Sequence, residues 1–239
     1  MDMGDLFLAI GEAAKTRKTI VVILIDEVQY LEDKDLKALI LAMHKISQKQ
    51  LPLLVFGAGL PQLAKLAGEA KSYAERLFDY IIIDKLNEKN ARQALEKPVR
   101  REKVEFEPDA IKNIIKETEG YPYFIQLWGS SAWDIAKSSP ITLEDVQKAT
   151  KAAILSLDSG FFRIRYDRLT ERQQEYVKAM AVIGHIPVTS AEVAQMMQMS
   201  VQQAAPLRDE VIRKGIAYSP GRGLIAFSVP KFEEFIRRL

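Results

Sequence analysis

The chain of 239 residues contains no cysteine and only two histidines, His44 and His185. The absence of cysteine excludes disulfides, zinc sites built on thiolates and cysteine nucleophiles. It also fits a protein of the cytoplasm, where we expect this chain to reside. Two histidines are too few for a histidine-rich metal site, and a serine–histidine–aspartate triad is not expected.

The sequence also lacks a long apolar run and a strong excess of charge of one sign. No stretch approaches the roughly 20 apolar residues that a membrane-spanning helix needs, so no membrane partner is predicted. The 34 basic and 32 acidic residues leave a net charge of +2. Binding to nucleic acid would therefore require a local basic patch. The composition is globular, and the length suits two or three small domains.

The most informative segment is an apolar run, Val21 to Ile25, that leads directly into Asp26 and Glu27. Such a run predicts a strand that is buried on both faces of a parallel sheet. Ligands of open α/β sheets bind beyond the carboxyl ends of the strands, so the two carboxylates are expected at the chemical edge of the sheet. The pattern is typical of a Walker B segment, in which one acid helps to hold Mg²⁺ and the next polarises a water.

Alternating helices and strands surround this segment. Helical spacing of apolar residues predicts a helix over 5–16 and a second helix that begins after Asp33 as its N-cap. Apolar runs predict two more strands at 53–56 and 80–83, and the alternation indicates a parallel sheet with right-handed crossovers. Shorter helices are expected at 61–68 and 70–78.

Beyond residue 86 the pattern changes to helices alone, and then to a third unit. The predicted helices of the middle part are 88–100, 108–119, 121–136 and 142–155. The third unit begins near Leu169, where Thr170 opens a capping box for helix 171–183. Thr189 or Ser190 and then Ser200 cap two further helices, and Pro220–Gly223 turns between short strands at 216–219 and 224–228. Three helices followed by a hairpin is the winged helix-turn-helix layout.

The order of these parts resembles the AAA+ and STAND P-loop ATPases, most closely the archaeal and bacterial ATPases related to origin-recognition proteins. Ile23–Glu27 matches Walker B, and Leu53–Pro61 resembles the strand and loop of sensor 1. Ser72–Phe78 is similar to the segment that presents an arginine to a neighbouring nucleotide. Gly120-Tyr121-Pro122 resembles the G-x-P motif of the helical lid, and the winged helix completes the order.

The resemblance implies an α/β fold class over almost the whole chain. A partial parallel-sheet P-loop NTPase core, of the AAA+ kind, is expected over 1–86, an all-helical lid over 87–157 and a winged-helix domain over 158–239. The implied cofactors are ATP and Mg²⁺, with Asp26 as the metal residue. Glu27 would polarise the attacking water, and Tyr121 or Pro122 would touch the adenine.

An arginine finger is the implied role of Arg76, and it requires a homo-oligomer. The plain alternative is a solvated helix residue that pairs with Glu75 or Asp79. Asp26 and Glu27 also have a plain alternative, as ordinary acids at the start of a helix, where the helix dipole favours negative charge.

Three features depart from the family. The sequence contains no G-x-x-x-x-G-K-[ST] phosphate loop and lacks the strand that carries it. The sensor 1 loop is Gly57-Ala58-Gly59, without a polar side chain, and Pro122 and Tyr123 lie where many relatives have the sensor 2 arginine. We therefore expect this chain alone to bind nucleotide weakly or not at all. It is interpreted as the C-terminal part of a longer ATPase, or as a degenerate relative whose sheet closes differently or borrows a strand from another chain.

Duplex DNA is the partner predicted for the winged helix. Glutamine can read adenine edges, and arginine can read guanine or bind phosphate. A catalytically inactive DNA-binding module on an ATPase scaffold is one alternative function. A protein-docking module is another, because Asp209 and Glu210 dilute the positive charge. The basic-aromatic segment 161–168 is interpreted as a packed connector in preference to a nucleic-acid grip. The candidate DNA-binding residues are Gln202, Gln203, Arg208, Arg213, Lys214 and Arg222.

Overall fold

The structure is a computed structural model that describes residues 3–60, 63, 67–68 and 74–239. The chain divides into two compact units, Met1–Ile83 and Asp84–Leu239. Much of the predicted helical region between residues 61 and 73 lies outside the described residues. The same holds for Ser72 and Tyr73 of the segment that resembles an arginine-presenting motif.

The first unit contains the predicted parallel strand pair. Strand β1 (Val21–Ile25) pairs with β2 (Leu53–Gly57) in parallel, and the register runs from Val21 opposite Leu53 to Ile25 opposite Gly57. Helix α1 (Met3–Thr16) precedes β1, and helix α2 (Asp33–Gln48) connects the two strands. These elements confirm the predicted strands and helices. The N-cap of α2 is Glu32, one residue before the predicted Asp33.

Only one face of this sheet is covered in the described part of the chain. Val21, Ile23 and Val55 pack against a buried cluster that includes Phe7 and Leu39 from the two helices. Because side chains alternate across a strand, the residues between them point to the opposite face. There Leu24 is 77% exposed and Phe56 is 59% exposed. The prediction that the apolar run is buried on both faces is therefore wrong, since among the described residues the helices cover one face and leave Leu24 and Phe56 exposed on the other.

The third predicted strand, residues 80–83, does not form. These residues have no strand assignment in the described chain, and Ile81, Ile82 and Ile83 are each at least 84% exposed. A strand requires a neighbour for its backbone groups, and neither β1 nor β2 supplies one. Helix α3 (Ala74–Leu77) lies shortly before this segment.

The second unit begins with the four predicted helices. They are α4 (Glu88–Arg101), α5 (Pro108–Thr118), α6 (Pro122–Ile135) and α7 (Leu143–Ser156). Local chemistry fixes their starts. Asn87 accepts a hydrogen bond from the backbone N–H of Asn90, and Thr142 forms a capping box with Asp145. Proline occupies the first turn of α5 and of α6, where its missing N–H costs nothing.

The basic-aromatic segment is helical. A π-helical segment (Leu157–Phe162) continues α7 into α8 (Arg163–Asp167). Phe162 is buried, and its ring lies 5.5 Å from the ring of Phe232 and 5.4 Å from that of Phe235. This packing supports the interpretation of the segment as a connector within a core.

The winged-helix layout is present after the connector. Helices α9 (Glu171–Ile183), α10 (Ser190–Met196) and α11 (Val201–Arg213) open with complete capping boxes at Thr170, Thr189 and Ser200. Three short strands form an antiparallel sheet in the order β3-β5-β4. They are β3 (Val188–Thr189), β4 (Ala217–Tyr218) and β5 (Leu224–Phe227). Helix α12 (Phe232–Arg238) was not among the predicted elements, although Phe232, Phe235 and Ile236 have helical spacing.

The helices of 87–157 and the winged-helix part share one core. A continuous cluster of buried apolar residues runs from Ala91 to Ile236. Two ion pairs supplement this apolar core. Lys231 Nζ lies 3.1 Å from Glu117 Oε2, and the guanidinium of Arg238 donates to both carboxylate oxygens of Asp158 at 2.7 and 2.9 Å. The two segments therefore pack as one compact unit. Among the described residues, no helix has the length and apolarity to cross a membrane.

Candidate functional site

The carboxyl ends of β1 and β2 meet at one edge of the first unit. The backbone N–H of Ala58 donates to the carbonyl of Ile25 at 2.8 Å, and that of Val28 donates to the carbonyl of Ala58 at 2.9 Å. The segment that carries Asp26 and Glu27 is thus bonded directly to the loop after β2. Both acidic residues are exposed.

Glu27 adopts a left-handed backbone conformation, with φ 53° and ψ 44°. Its backbone N–H donates to Oδ1 of Asp26 at 2.8 Å. Left-handed φ is uncommon for residues other than glycine and is often found where a side chain must be aimed in a particular direction. The sharp change of direction after β1 ends the strand and leads into a 3₁₀ turn, Val28–Tyr30.

Gln29 bridges the acidic pair and the loop after β2. Its side-chain amide N–H donates to Oε2 of Glu27, and its side-chain carbonyl accepts from the backbone N–H of Leu60 at 3.1 Å. Sequence analysis missed this residue. A polar side chain two positions after the acidic pair, opposite a loop without polar side chains, was the available signal.

These residues fit one half of a magnesium–nucleotide site. Carboxylate oxygens are the ligands that Mg²⁺ prefers, and Asp26 and Glu27 present them at the strand ends. In the described part of the chain, no group of three or more acidic or histidine side chains gathers as a metal site. The sequence contains no glycine-rich loop with a lysine to hold phosphates. The arrangement therefore suits a metal that a nucleotide would bring, and phosphate binding needs groups from elsewhere.

The other nucleotide-site candidates lie on α3 and at the start of α6. Arg76 is exposed on the short helix α3 of the first unit. In the second unit Tyr121 is the N-cap of α6 and Pro122 its first residue. The ring of Tyr121 packs edge-to-face on Phe124 at 4.8 Å, within an aromatic cluster. A role for these three residues at a nucleotide remains a prediction.

Gly120 has a structural reason to be glycine. Its φ is +78°, and a Cβ there would lie 2.4 Å from the carbonyl oxygen of Leu86. The backbone N–H of Leu86 donates to the carbonyl of Gly120 at 2.8 Å. The glycine of the G-x-P motif therefore allows the backbone of Leu86, at the start of the second unit, to form a hydrogen bond with the α5–α6 turn.

The six candidate DNA-binding residues fall into two groups. Arg208 and Lys214 make internal bonds. Arg208 Nη2 donates to Ser219 Oγ at 2.9 Å and to the carbonyl of Leu224 at 3.2 Å, and its side chain is 20% exposed. Lys214 Nζ donates to the carbonyl of Arg168 at 2.6 Å and to Gln173 Oε1 at 2.8 Å. Arg208 therefore connects α11 to the hairpin, and Lys214 connects the end of α11 to residues 168 and 173.

The remaining four candidates are all exposed. Gln202 is exposed in the first turn of α11, while Gln203 uses its side-chain oxygen to accept from the backbone N–H of Ser200. Arg213 is 74% exposed and pairs with Glu210, whose pKa it holds below the usual value by hydrogen bonding. Arg222 lies in the turn between β4 and β5, at the tip of the wing.

Comparison with known proteins identifies the fold. A family model described as a domain of unknown function, DUF8462, matches residues 159–236. No curated protein matches the sequence. The Walker-type ATPase paby2304 of Pyrococcus abyssi is similar in structure, with a TM-score of 0.70 and 12% identity over 99% of this chain and 68% of that chain.

The RuvB Holliday junction branch migration motor of Thermotoga maritima is also similar. It matches with a TM-score of 0.54 and 17% identity over 99% of this chain and 75% of that chain. At such identities the likeness shows the fold alone. The chain therefore has a mixed α/β fold of the AAA+ kind with a small parallel sheet, followed by a helical region and a small antiparallel sheet. This result confirms the predicted fold class.

Proposed function

We propose that this chain is the C-terminal portion of a switch ATPase of the AAA+ kind. ATP binding and hydrolysis in the longer protein would drive a conformational change that is coupled to a DNA-binding winged helix. One observation carries the proposal. The parallel register of β1 and β2 sets Asp26 and Glu27 beside the loop after β2, at the sheet edge where nucleotides bind in α/β folds.

The exposed face of the sheet supports the same proposal. Leu24 and Phe56 are opposite each other in the register, so their exposed side chains form one apolar surface with Val22 and Leu54. Apolar patches of this kind are normally covered by protein. The polypeptide that carries a phosphate loop would supply a helix for this face and a strand for the unpaired edge of β2. The apolar residues 81–83 would then gain a neighbour.

The residues have distinct roles in this proposal. Asp26 would hold Mg²⁺ through water, and Glu27 would accept a hydrogen bond from the attacking water. Magnesium, when bound with ATP, neutralises the charge that develops on the phosphates. Tyr121 or Pro122 would contact the adenine, and Arg76 would act on the nucleotide of a neighbouring subunit in a homo-oligomer. This chain alone supplies no cradle for the phosphates, so turnover belongs to the longer protein.

Calorimetric titration with Mg·ATP tests the proposal. The polypeptide of the complete reading frame should bind ATP, and Asp26→Ala should weaken binding at least about tenfold because one metal contact is lost. Glu27→Ala should retain binding and lose phosphate release. The chain of 239 residues should give no heat of binding. Glu32→Ala, another exposed acid of this unit, is the matched control and should leave binding unchanged.

Two outcomes contradict the proposal. One is a complete polypeptide that does not bind Mg·ATP. The other is an Asp26→Ala variant that binds as tightly as the parent. The first result would leave the α/β sheet as a scaffold without a nucleotide site, and the second would mean that Asp26 does not hold the metal.

A catalytically inactive DNA-binding module is the second candidate. It is favoured by the exposed position of Gln202 in the first turn of α11, because base contacts in helix-turn-helix proteins come from that end of the recognition helix. Arg222 at the wing tip would reach a phosphate. Binding of duplex DNA should then weaken steeply as the salt concentration rises. Arg222→Ala should reduce the slope of log binding constant against log salt concentration by about 1, because one phosphate contact is lost.

The control for the DNA experiment is Lys112→Ala, which removes an exposed cation from the α5 helix outside the winged-helix part. It should leave the salt dependence unchanged. If duplex DNA does not bind at any salt concentration while a protein partner is captured, the protein-docking alternative replaces this candidate.

A further inference from the structure

The acidic pair is connected to the loop after β2 by a single side chain. Gln29 uses both ends of its amide. The N–H end donates to the Glu27 carboxylate, and the carbonyl end accepts from the backbone N–H of Leu60 at 3.1 Å. An amide that is bonded at both ends has one orientation only, because exchanging its oxygen and nitrogen would break both bonds.

The loop is shaped to receive this amide. A Cβ on Gly59 would lie 2.6 Å from Oε1 of Gln29, so a side chain there would displace the amide. Gly57 is similarly crowded, since its Cβ would lie 2.9 Å from Cγ2 of Val28. The loop offers no polar side chain of its own, because its sequence is Gly57-Ala58-Gly59-Leu60. Gln29 therefore supplies the polar side-chain contact between this loop and Glu27.

We propose that Gln29 is a positioning residue that fixes the Glu27 carboxylate and links its orientation to the position of the loop 57–60. A displacement of the loop moves the Leu60 N–H, which moves the amide of Gln29 and then the carboxylate. A ligand that contacts the loop would thus redirect Glu27 without touching it. This inference rests on the proposed function for the task of Glu27, but the link itself exists in the chain without nucleotide.

Nuclear magnetic resonance of the nucleotide-free chain tests the link. Labelled glutamate carboxyls report the surroundings of Glu27, and hydrogen exchange reports the Leu60 amide. In Gln29→Ala the Glu27 carboxyl signal should shift, and exchange of the Leu60 amide should accelerate about tenfold, as expected for the loss of one hydrogen bond. In Gln29→Glu the acceptor for Leu60 remains and the donor for Glu27 is lost, so only the Glu27 signal should shift.

Gly59→Ala is the decisive variant. Its new methyl group would meet the Gln29 amide, so the Glu27 carboxyl signal should shift although residue 59 donates no bond to Glu27. Gly160→Ala, whose Cβ would meet nothing within 4 Å, and Gln48→Ala, an exposed glutamine of α2, are controls that should move neither signal.

The proposal is overturned if Gly59→Ala leaves the Glu27 signal in place, or if Gln29→Ala leaves both signals unchanged. Should Gly59→Ala unfold the first unit, the contrast between Gln29→Glu and Gln29→Ala still decides the matter. Because these measurements use no nucleotide, their failure is distinct from a failure to bind Mg·ATP. If Mg·ATP does not bind, the link between Glu27 and the loop 57–60 still stands. If the resonance measurements find no link, the proposed binding of Mg·ATP still stands.

Discussion

The two compact units of this chain differ in how completely they bury their apolar residues. The unit of residues 84–239 has one continuous core, which extends from the first helix of the unit to the last. In the described part of the unit of residues 1–83, two helices cover one face of a two-stranded sheet while Leu24 and Phe56 on the other face stay exposed. The difference teaches that the second unit buries its apolar residues within itself, whereas the described part of the first unit leaves one face of its sheet exposed.

Trp128→Ala, in the buried core of the second unit, should give the largest effect on the free energy of unfolding. The indole is fully buried and its N–H donates to Thr150 Oγ1 at 2.9 Å. Its removal should lower the free energy of unfolding by about 3–5 kcal/mol, because a large cavity remains and the Thr150 hydroxyl loses the hydrogen bond that it accepts. Urea unfolding measures the loss. Trp133→Ala, at 41% exposure, is the control, and equal losses for both variants would contradict a dense core in this unit.

Gly120→Ala tests the junction at which the second unit begins. A positive φ and a Cβ 2.4 Å from the Leu86 carbonyl oxygen should together cost about 2–3 kcal/mol of unfolding free energy. Gly223 also has a positive φ, +76°, but a Cβ there would meet nothing within 4 Å. Gly223→Ala should therefore lower the free energy of unfolding by about 1 kcal/mol, through the backbone conformation alone. Thermal unfolding compares the two variants. If they lose the same stability, the close approach to Leu86 is unimportant.

Arg208→Ala distinguishes a fastening role from a DNA-binding role. The guanidinium bonds Ser219 and the Leu224 carbonyl, so its loss should lower the free energy of unfolding by about 1–2 kcal/mol. Arg213→Ala, from an exposed pair with Glu210, should leave the free energy of unfolding essentially unchanged. Urea unfolding without DNA checks both. An unchanged stability for Arg208→Ala would return this residue to the DNA-binding set.

Tyr176→Phe tests the core of the second unit through pH. Burial raises the pKa of Tyr176 to about 12, from an ordinary value of 10.0. Because the unfolded chain ionises this phenol first, its contribution to stability is complete below pH 10 and declines as the pH rises toward 12. The phenylalanine variant should lack this decline.

At neutral pH the same variant should be nearly as stable as the parent. The Tyr176 hydroxyl is buried and has no hydrogen-bond partner in the described structure, so its removal should change stability by no more than about 1 kcal/mol. Urea midpoints at pH 7 and pH 11 give the comparison. A parent protein that loses no more stability than the variant between these pH values would argue against the burial of this phenol.

The double variant Leu24→Ser and Phe56→Ser, on the exposed face of the sheet, should give the smallest effect on stability. Both side chains are already exposed, so the free energy of unfolding should change by about 0.5 kcal/mol or less. Fluorescence of a dye that binds apolar surfaces should fall, because the patch is removed. A loss of several kcal/mol would show that the face is covered in solution by a second copy or by other residues of the chain.

The sequence predicted well those features that depend on neighbours along the chain. Thr170, Thr189 and Ser200 each form the capping box that their spacing to the third following residue indicates. The helical spacing of apolar residues likewise located α1 and α2, because this spacing repeats along a single element. The parallel pairing of β1 and β2 followed from their alternation with a helix.

Features that depend on distant groups were not accessible from the sequence. An apolar strand shows that cover is required, but not whether the cover lies in the same chain, and so the exposure of Leu24 was missed. The inward position of Arg208 depends on a hairpin 11 to 16 residues away. Gln29 is visible in the sequence as a polar residue after the acidic pair, but its bridging role was missed because its second partner, Leu60, is 31 residues distant.

We propose that the sheet of the first unit, which is open in the described part of the chain, is completed by the part of the protein that carries a phosphate loop. Hydrogen–deuterium exchange of β2, residues 53–57, tests it most directly. We predict slower exchange, by about tenfold or more, in the polypeptide of the complete reading frame than in the chain of 239 residues, because the edge of β2 gains a paired strand. Equal exchange of β2 in the two polypeptides would contradict the claim.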